Sequence, residues 1–211
     1  MKYYIKFSLF HLTILFSKIY SLKTAKYFSS LFNYLYTSWL IKEFKKVGYN
    51  VTFASPLSLH GGKHVTIGDN FGCDQRFRLD AYDEFLGDKF NPEIIIGNNV
   101  SIQKDCHLAA INKIVLGDNV LLASKVYISD HSHGEINLEA IKSAPCQRKL
   151  FSKGPVIIKD NVWIGEGVTV LPNVTIGENS IVGANSVVTK SFPKNSVIAG
   201  NPAKLIRVIN L

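Results

Sequence analysis

The feature that most limits the fold of this 211-residue chain is a six-residue repeat near its C-terminal end. Between residues 156 and 189 an aliphatic residue falls at every sixth position: Ile158, Ile164, Val170, Ile176, Val182 and Val188. A second row lies four residues after the first five of these: Val162, Val168, Val174, Ser180 and Ser186. A period of six fits neither an α-helix nor a simple alternating strand. It predicts short strands joined by corners, in coils that are stable only when stacked on their neighbours.

The same signature recurs earlier with less regular spacing: Ile67-Gly68-Asp69-Asn70, Ile96-Gly97-Asn98-Asn99 and Leu116-Gly117-Asp118-Asn119. The step from Ile96 to Leu116 is not a multiple of six, which predicts a small insertion near residues 110–113. Two longer stretches, residues 77–92 and 129–154, lose the period and carry polar residues. We expect the second to project as a loop. Because loops on rigid scaffolds often carry function, the chemistry is expected there.

Residues 1–48 differ from the rest, being rich in Phe, Tyr, Leu and Lys, with Glu43 as their only acid. Apolar residues recur at helical spacing, which predicts one or two amphipathic helices. These helices could cap the next domain, or they could lie on an anionic membrane. The apolar run of residues 7–16 is too short to span a bilayer. The sequence therefore predicts a cytoplasmic protein, peripheral at the inner face of the membrane under the second interpretation.

These patterns predict three segments: an amphipathic helical segment of residues 1–48, a β-helix domain of residues 49–200 with the loop 129–154, and a tail of residues 201–211. The formal net charge of +8 favours an anionic partner, such as a phosphate-bearing cofactor or a phospholipid surface. No nucleic-acid-binding motif accompanies this charge, so nucleic acid is not a predicted partner.

Four elements within residues 51–208 make the chain resemble the hexapeptide-repeat acyltransferases: Ile128-Ser129-Asp130-His131-Ser132-His133, Asn161-Val162-Trp163-Ile164-Gly165, the segment from Val182 to Lys190, and Ala199-Gly200-Asn201-Pro202-Ala203-Lys204. The resemblance is greatest to the maltose, galactoside and nodulation-type O-acetyltransferases and to the acetyltransferases of surface-polysaccharide synthesis. It implies a mainly β fold, a left-handed parallel β-helix, assembled as a homotrimer with active sites between subunits. It also implies transfer of acetyl from acetyl-CoA to a carbohydrate acceptor, with no metal.

The resemblance assigns the catalytic residues as well. Transfer from a thioester needs a base for the hydroxyl proton and hydrogen-bond donors for the oxyanion. His131 aligns with the family's catalytic histidine and is the predicted base, with His133 as the second choice. Asp130 could orient the imidazole, although a solvated turn aspartate explains it equally well. Ser129 or Ser132 as a nucleophile lacks the Gly-x-Ser-x-Gly motif.

Binding residues also follow from the resemblance. Asp74 falls where the sugar acetyltransferases carry an asparagine that contacts the acceptor. Asp80 and Asp83 are weaker candidates, which are explained better as solvated loop charges. The acetyl-CoA set comprises Trp163, Gly165 and Glu166 at the thioester end, Gly183, Ala184 and Thr189 along the pantetheine, and Lys190, Lys204 and Arg207 at the phosphates.

Three other functions stay open on the sequence alone. Acetylation of an amine, on an amino sugar or a xenobiotic, would use the same fold. The γ-type carbonic anhydrases share the solenoid and bind zinc through three histidines. His107, His131 and His133 supply that residue type without that family's spacing. A non-enzymatic β-helix module would leave the loop histidines unexplained.

Overall fold

The computed structural model describes residues 2–210, in which two helices precede a parallel β-helix. Helix α1 runs over Lys2–Ile19 and helix α2 over Leu22–Leu40. Short 3-10 helices lie at Ile41–Glu43, Gly62–His64, Ala140–Lys142 and Pro145–Gln147. The β-helix has three sheets, within which strands of successive turns pair in parallel. Each turn of the chain contributes one strand to each sheet.

Sheet 1 has six strands: Lys46–Val47, Val65–Ile67, Glu93–Ile96, Lys113–Leu116, Val156–Ile158 and Thr175–Ile176. Sheet 2 has eight: Thr52–Phe53, Gly72–Cys73, Ser101–Ile102, Leu121–Leu122, Trp163–Ile164, Ile181–Val182, Ser196–Gly200 and Ala203–Val208. Sheet 3 has six: Ser58–His60, Arg78–Ala81, His107–Ala110, Tyr127–Ser129, Thr169–Val170 and Val187–Val188.

Every insertion leaves the β-helix at one corner, here named the loop corner, which follows the strands of sheet 3. Paired asparagines measure the turns: Asn161 and Asn179 are 18 residues apart, the regular spacing. The three preceding spacings are 29, 20 and 42 residues, which reflect extra residues at 82–92, 111–112 and 131–154. The predicted insertion near residues 110–113 is thereby confirmed. Two hairpins extend from this corner, Glu84–Phe85 with Asp88–Lys89 and Ser132–His133 with Leu150–Phe151.

The two rows of the six-residue repeat fill the core between the sheets. Both rows are buried, including the two serines that replace aliphatic residues in the second row. Ser180 Oγ accepts a hydrogen bond from the Ser196 N–H at 3.1 Å, and Ser186 Oγ accepts one from the Gly200 N–H at 3.0 Å. These serines therefore satisfy backbone groups of the final strands, where the regular ladder ends.

The Ile-Gly-Asp-Asn signature marks the corner between sheets 1 and 2. A Cβ on Gly97 would lie 2.7 Å from backbone atoms of Gly117 in the next turn, so only glycine allows the coils to stack there. The asparagines that follow adopt positive φ and join in a ladder of amide hydrogen bonds; they are Asn50, Asn70, Asn99, Asn119, Asn161, Asn179 and Asn195. Asparagine tolerates this conformation better than most residues.

Replacement of Gly97 by alanine is expected to destabilise the fold by about 1–3 kcal/mol, the usual result of overpacking. The added methyl group would force the backbones of two turns apart. Gly72→Ala is the matched control, since a Cβ at Gly72 has no neighbour within 4 Å. Chemical denaturation of both variants measures the difference. Equal stabilities would contradict the steric explanation of the motif.

The N-terminal helices pack on the β-helix only at their C-terminal end. Thr37 and Leu40 are the buried residues of α2, and the Thr37 hydroxyl accepts a hydrogen bond from the Phe53 N–H at 2.9 Å. None of residues 2–19 is buried. Neither helix alone is long and apolar enough to cross a membrane. Only α1 and the segment 22–43 taken together have sufficient length and apolar character, and a bend of 63° separates them.

The final residues correct the predicted tail of residues 201–211. Ala203–Val208 form a strand that pairs antiparallel with Ser196–Gly200 at the edge of sheet 2. The chain reverses at Asn201-Pro202, and the strand covers an edge that would otherwise expose unpaired backbone groups. The parallel coil likewise begins at Lys46, which pairs with Thr66, slightly before the predicted start at residue 49.

Candidate active site

The strongest chemical feature of the loop corner is a carboxylate–imidazole pair at the point where the chain leaves sheet 3. Asp130 is fully buried, and its Oδ1 lies 2.9 Å from Nδ1 of His131, whose side chain is 9% exposed. A carboxylate can only accept hydrogen bonds, so Nδ1 carries the proton and Nε2 is left as an acceptor. This tautomer is the one that a general base requires.

Asp130 also holds the small insertion in place. Its carboxylate accepts hydrogen bonds from the N–H groups of Ile111 at 3.0 Å and Asn112 at 2.8 Å. The aspartate is therefore a buried structural partner of two chain segments, and the interpretation as a solvated turn residue is wrong. The Ser129 hydroxyl bonds to backbone atoms of His131, which fixes the turn rather than presenting a nucleophile.

His131 lines a cavity of about 240 Å³ with walls from three parts of the chain. Sheet 3 supplies Arg78, His107 and Tyr127, while the inserted residues 82–92 supply Tyr82 and Phe85. The projecting loop adds His133 and Leu150. The two loops also meet outside the cavity, where Lys149 Nζ lies 2.9 Å from Asp88 Oδ1. The site is thus built from segments that are distant in sequence.

His133 occupies a different environment from His131. It lies on an exposed two-residue strand, and its ring contacts Phe85 edge-on at 5.5 Å between centroids. Within residues 2–210 no carboxylate accepts a hydrogen bond from its ring. Since an unsupported imidazole is poorly oriented, this difference favours His131 over His133 as the base.

A second carboxylate lies beside the cavity, and sequence reasoning undervalued it. Asp80 is 3% exposed, and its Oδ2 is within hydrogen-bonding distance of Arg78 Nε at 2.6 Å, His107 Nε2 at 3.0 Å and the Tyr82 hydroxyl at 3.1 Å. Burial raises the pKa of Asp80, but the hydrogen bonds from His107 and Arg78 outweigh it and hold that pKa below its ordinary range. Asp80 is therefore not a solvated loop charge.

Arg78, His107 and Tyr127 stand in register on consecutive turns. The sequence did contain this signal. The steps of 29 and 20 residues that relate the three Ile/Leu-Gly signatures also relate these residues.

The other acidic and histidine candidates lie outside this arrangement. Asp83 pairs with Lys63 at 2.6 Å and His64 at 3.1 Å, and these hydrogen bonds lower the pKa of Asp83 to about 2. Asp74 lies after the sheet 2 strand Gly72–Cys73, where its side chain accepts a hydrogen bond from the Gln75 N–H. The structure does not bring Asp74 into the cavity of its own chain. His60 is exposed, and its ring packs on that of Tyr82 with 5.0 Å between the centroids; it is not one of the residues that line the cavity.

The residues predicted to bind acetyl-CoA divide between different parts of the β-helix. Trp163, 49% exposed, lies on the outer face of sheet 2 beside exposed Leu121, and Lys204 and Arg207 lie on the last strand of that sheet. Gly165, Glu166, Gly183 and Ala184 follow the sheet 2 strands, whereas Thr189 and Lys190 follow sheet 3. One chain therefore does not gather the predicted cations into a single cluster.

Two of these residues have structural partners. A Cβ on Gly165 would lie 2.7 Å from the Ala184 nitrogen, so close stacking alone requires a glycine there. Glu166 forms an ion pair with Lys125 at 3.3 Å. For the metal alternative, the described residues 2–210 contain no group of three His, Cys, Asp or Glu side chains that could hold a metal ion. His107 and His131 each turn a ring nitrogen to an aspartate instead.

Comparison with known proteins agrees with this architecture. The family described as bacterial transferase hexapeptide (six repeats) matches residues 155–190. The chain is 37% identical over 158 residues to WbbJ of Escherichia coli, assigned as a lipopolysaccharide biosynthesis O-acetyltransferase, with 74% of this chain and 77% of the relative covered. A galactoside acetyltransferase solved in complex with coenzyme A is 30% identical, with a TM-score of 0.54 and coverage of 82% and 70%.

A further solved structure, the N-acyltransferase AntD from Bacillus cereus, has a TM-score of 0.67 over 83% of this chain and 89% of that one. At 23% identity it supports the fold alone. The stacked hexapeptide turns and the relatives that share them define the class, a left-handed parallel β-helix transferase. The chain belongs to the hexapeptide-repeat acyltransferase superfamily.

Proposed function

We propose that the protein transfers an acetyl group from acetyl-CoA to a sugar hydroxyl in the synthesis of a cell-surface polysaccharide or lipopolysaccharide. The observation that carries the proposal is the Asp130–His131 pair, with a free Nε2 beside a cavity, in a member of this superfamily. The WbbJ relative supports the class of acceptor, and the galactoside acetyltransferase complex supports coenzyme A as the carrier.

The reaction follows from the state of His131. Its Nε2 takes the proton of the acceptor hydroxyl while the oxygen attacks the acetyl carbonyl carbon. The carbonyl oxygen then carries a negative charge, which hydrogen-bond donors stabilise. When the intermediate collapses, the carbon–sulfur bond breaks, and the proton held by His131 passes to the sulfur of coenzyme A. The products are an O-acetyl ester and the free thiol.

The donor would bind between neighbouring protomers of a homotrimer. The candidate residues of one chain are divided between two places, since the base lies at the loop corner while Trp163, Lys204 and Arg207 lie on sheet 2. A second chain could bring its sheet 2 to the loop corner of the first. The exposed apolar pair Leu121 and Trp163 on the outer face of sheet 2 suits burial against another protomer.

The test is thiol release from acetyl-CoA with two sets of acceptors, methyl glycosides and amino sugars. We expect release that depends on a glycoside, with one alkali-labile acetyl ester formed for each thiol. Release that depends only on amines, with an alkali-stable amide as product, would overturn the proposal in favour of N-acetylation. Chloramphenicol as a third acceptor tests the xenobiotic alternative.

We also propose that the N-terminal helices hold the enzyme at the anionic, cytoplasmic face of a membrane. Residues 2–19 are all exposed although many are large and apolar, among them Leu12, Phe16 and Ile19. Lysines occur at positions 2, 6, 18, 23 and 26, and residues 1–42 contain no acid. A basic helix with an exposed apolar surface is suited to the lipid headgroup region. A lipid-linked glycan would then be the acceptor within reach.

Charge reversal at Lys6, Lys18 and Lys23 to glutamate is expected to weaken binding to phosphatidylglycerol vesicles by about 100-fold or more, since each lysine near an anionic surface contributes about 1 kcal/mol. Lys104, Lys159 and Lys194, exposed on the β-helix, are the matched control, because their reversal changes the net charge equally. Vesicle co-sedimentation of the full chain provides the measurement. Equal loss in both triple variants, or no sedimentation of the unmodified chain, would contradict membrane contact.

A further inference from the structure

A second aspartate–histidine pair lies at the cavity that His131 lines: His107 lines the cavity, Asp80 lies behind it, and the proposed chemistry does not use the pair. Asp80 connects three side chains that line the cavity: Arg78, Tyr82 and His107. A buried carboxylate that accepts three hydrogen bonds holds its partners in fixed positions. Such a network is costly to bury unless its members are satisfied, so its location at the cavity wall calls for an explanation.

The hydrogen-bond donors and acceptors that this network leaves unused define what it can bind. Because His107 Nε2 donates to Asp80, its Nδ1 is an acceptor, and within residues 2–210 no side chain or backbone donor bonds to it. Arg78 uses two of its five N–H donors, on Asp80 and on the Tyr82 hydroxyl. The Tyr82 hydroxyl donates a hydrogen bond to Asp80 and accepts one from Arg78. The network therefore offers one acceptor and a fork of donors.

The wall also carries the aromatic rings of Tyr82, Phe85 and Tyr127. The Tyr82 ring stands edge-on to His131 at 6.1 Å, and the Tyr127 ring packs beside His107 at 5.2 Å. A sugar ring has apolar C–H faces and a rim of hydroxyls, each of which is both a donor and an acceptor. Aromatic walls suit the faces, while the His107 acceptor and the Arg78 donors suit two adjacent hydroxyls.

We propose that Asp80, His107 and Arg78 form an acceptor-recognition network that binds a vicinal diol of the sugar beside the hydroxyl that is acetylated. The inference rests on the proposed function for the identity of the reaction, but the recognition itself is a binding event. Asp80 is a positioning residue, because it acts through His107 and Arg78. His107 and Arg78 contact the acceptor and determine specificity.

Binding is measured first, on His131→Ala protein, so that turnover plays no part. A panel of methyl glycosides and their mono-deoxy analogues is screened by saturation-transfer difference NMR. We expect a diol-bearing glycoside to bind about tenfold more tightly than its deoxy analogue, as is typical of lost hydrogen bonds at a polar site. Adding His107→Leu should abolish that preference, and adding His107→Gln, which keeps an acceptor and a donor, should restore part of it.

Kinetics on the otherwise unmodified enzyme provide the second readout. His107→Leu should raise KM for the diol-bearing acceptor about tenfold, with a much smaller effect on kcat, and should leave KM for the deoxy analogue nearly unchanged. Equal increases for both acceptors would indicate a merely structural role and overturn the inference. Absence of glycoside binding to His131→Ala protein would overturn it as well. Glycoside binding without any acetyl transfer by the wild type would instead refute the proposed function and leave the recognition network standing.

Discussion

Replacement of His131 by alanine is expected to lower acetyl transfer to a sugar by about 10²- to 10⁴-fold, the usual contribution of a general base. The loss should fall on kcat, because the imidazole is needed when the hydroxyl attacks and contributes little to acceptor binding. Asp130 keeps its hydrogen bonds from the N–H groups of Ile111 and Asn112 when the imidazole is removed, so the variant is expected to fold. Thiol release with a saturating glycoside measures the change.

Two variants make this result specific. His133→Ala removes the neighbouring loop histidine, which lies on an exposed strand, and should lower kcat far less. His11→Ala is the remote control, on an exposed turn of α1. If His131→Ala keeps most of its activity while His133→Ala loses it, the base is His133. The buried Asp130–His131 pair would then have a purely structural role.

The regular part of this fold could be predicted from the sequence because its determinants are local. Stacked coils repeat the same contacts every turn, so a buried aliphatic such as Ile164 and a corner asparagine such as Asn179 recur at fixed spacing. The broken spacing between Ile96 and Leu116 even located the insertion at residues 111–112. The left-handed winding required the family resemblance, since neither period nor composition encodes it.

The walls of the candidate site could not be predicted in this way. They depend on contacts between insertions that are far apart in the chain, such as Lys149 with Asp88 and Phe85 with His133. The hydrogen bonding of Asp80 likewise depends on His107, which lies one turn later in the β-helix. One part of the wall is an exception. The spacings of 29 and 20 residues between the Ile/Leu-Gly signatures also separate Arg78, His107 and Tyr127, and therefore align these outward-facing residues.

Asp130→Asn is expected to affect stability and catalysis together, because one carboxylate serves both. Asp130 is fully buried, and it accepts hydrogen bonds from His131 Nδ1 and from the N–H groups of Ile111 and Asn112. An asparagine amide has one oxygen, so its NH₂ group must face at least one of these donors. Each buried donor left without an acceptor costs about 1–3 kcal/mol, and a lower free energy of unfolding by about that amount is expected.

The catalytic loss has a separate cause. If the new NH₂ group faces the imidazole, His131 adopts the other tautomer, with its proton on Nε2, and can no longer take a proton from the acceptor. We expect kcat to fall by at least about 10²-fold, within the range of an absent general base. Asp105→Asn is the matched control. Its carboxylate pairs with Arg76 at the surface, where ion pairs add little to stability.

A double variant separates positioning from general damage. If Asp130 acts through His131, then Asp130→Asn combined with His131→Ala should be no slower than His131→Ala alone, because groups that act as one unit are not additive. Losses that multiply would show that the aspartate contributes independently of the imidazole, through the backbone of residues 111–112. The free energy of unfolding of the double variant should still fall, since the two backbone donors lose a carboxylate whether or not the imidazole is present.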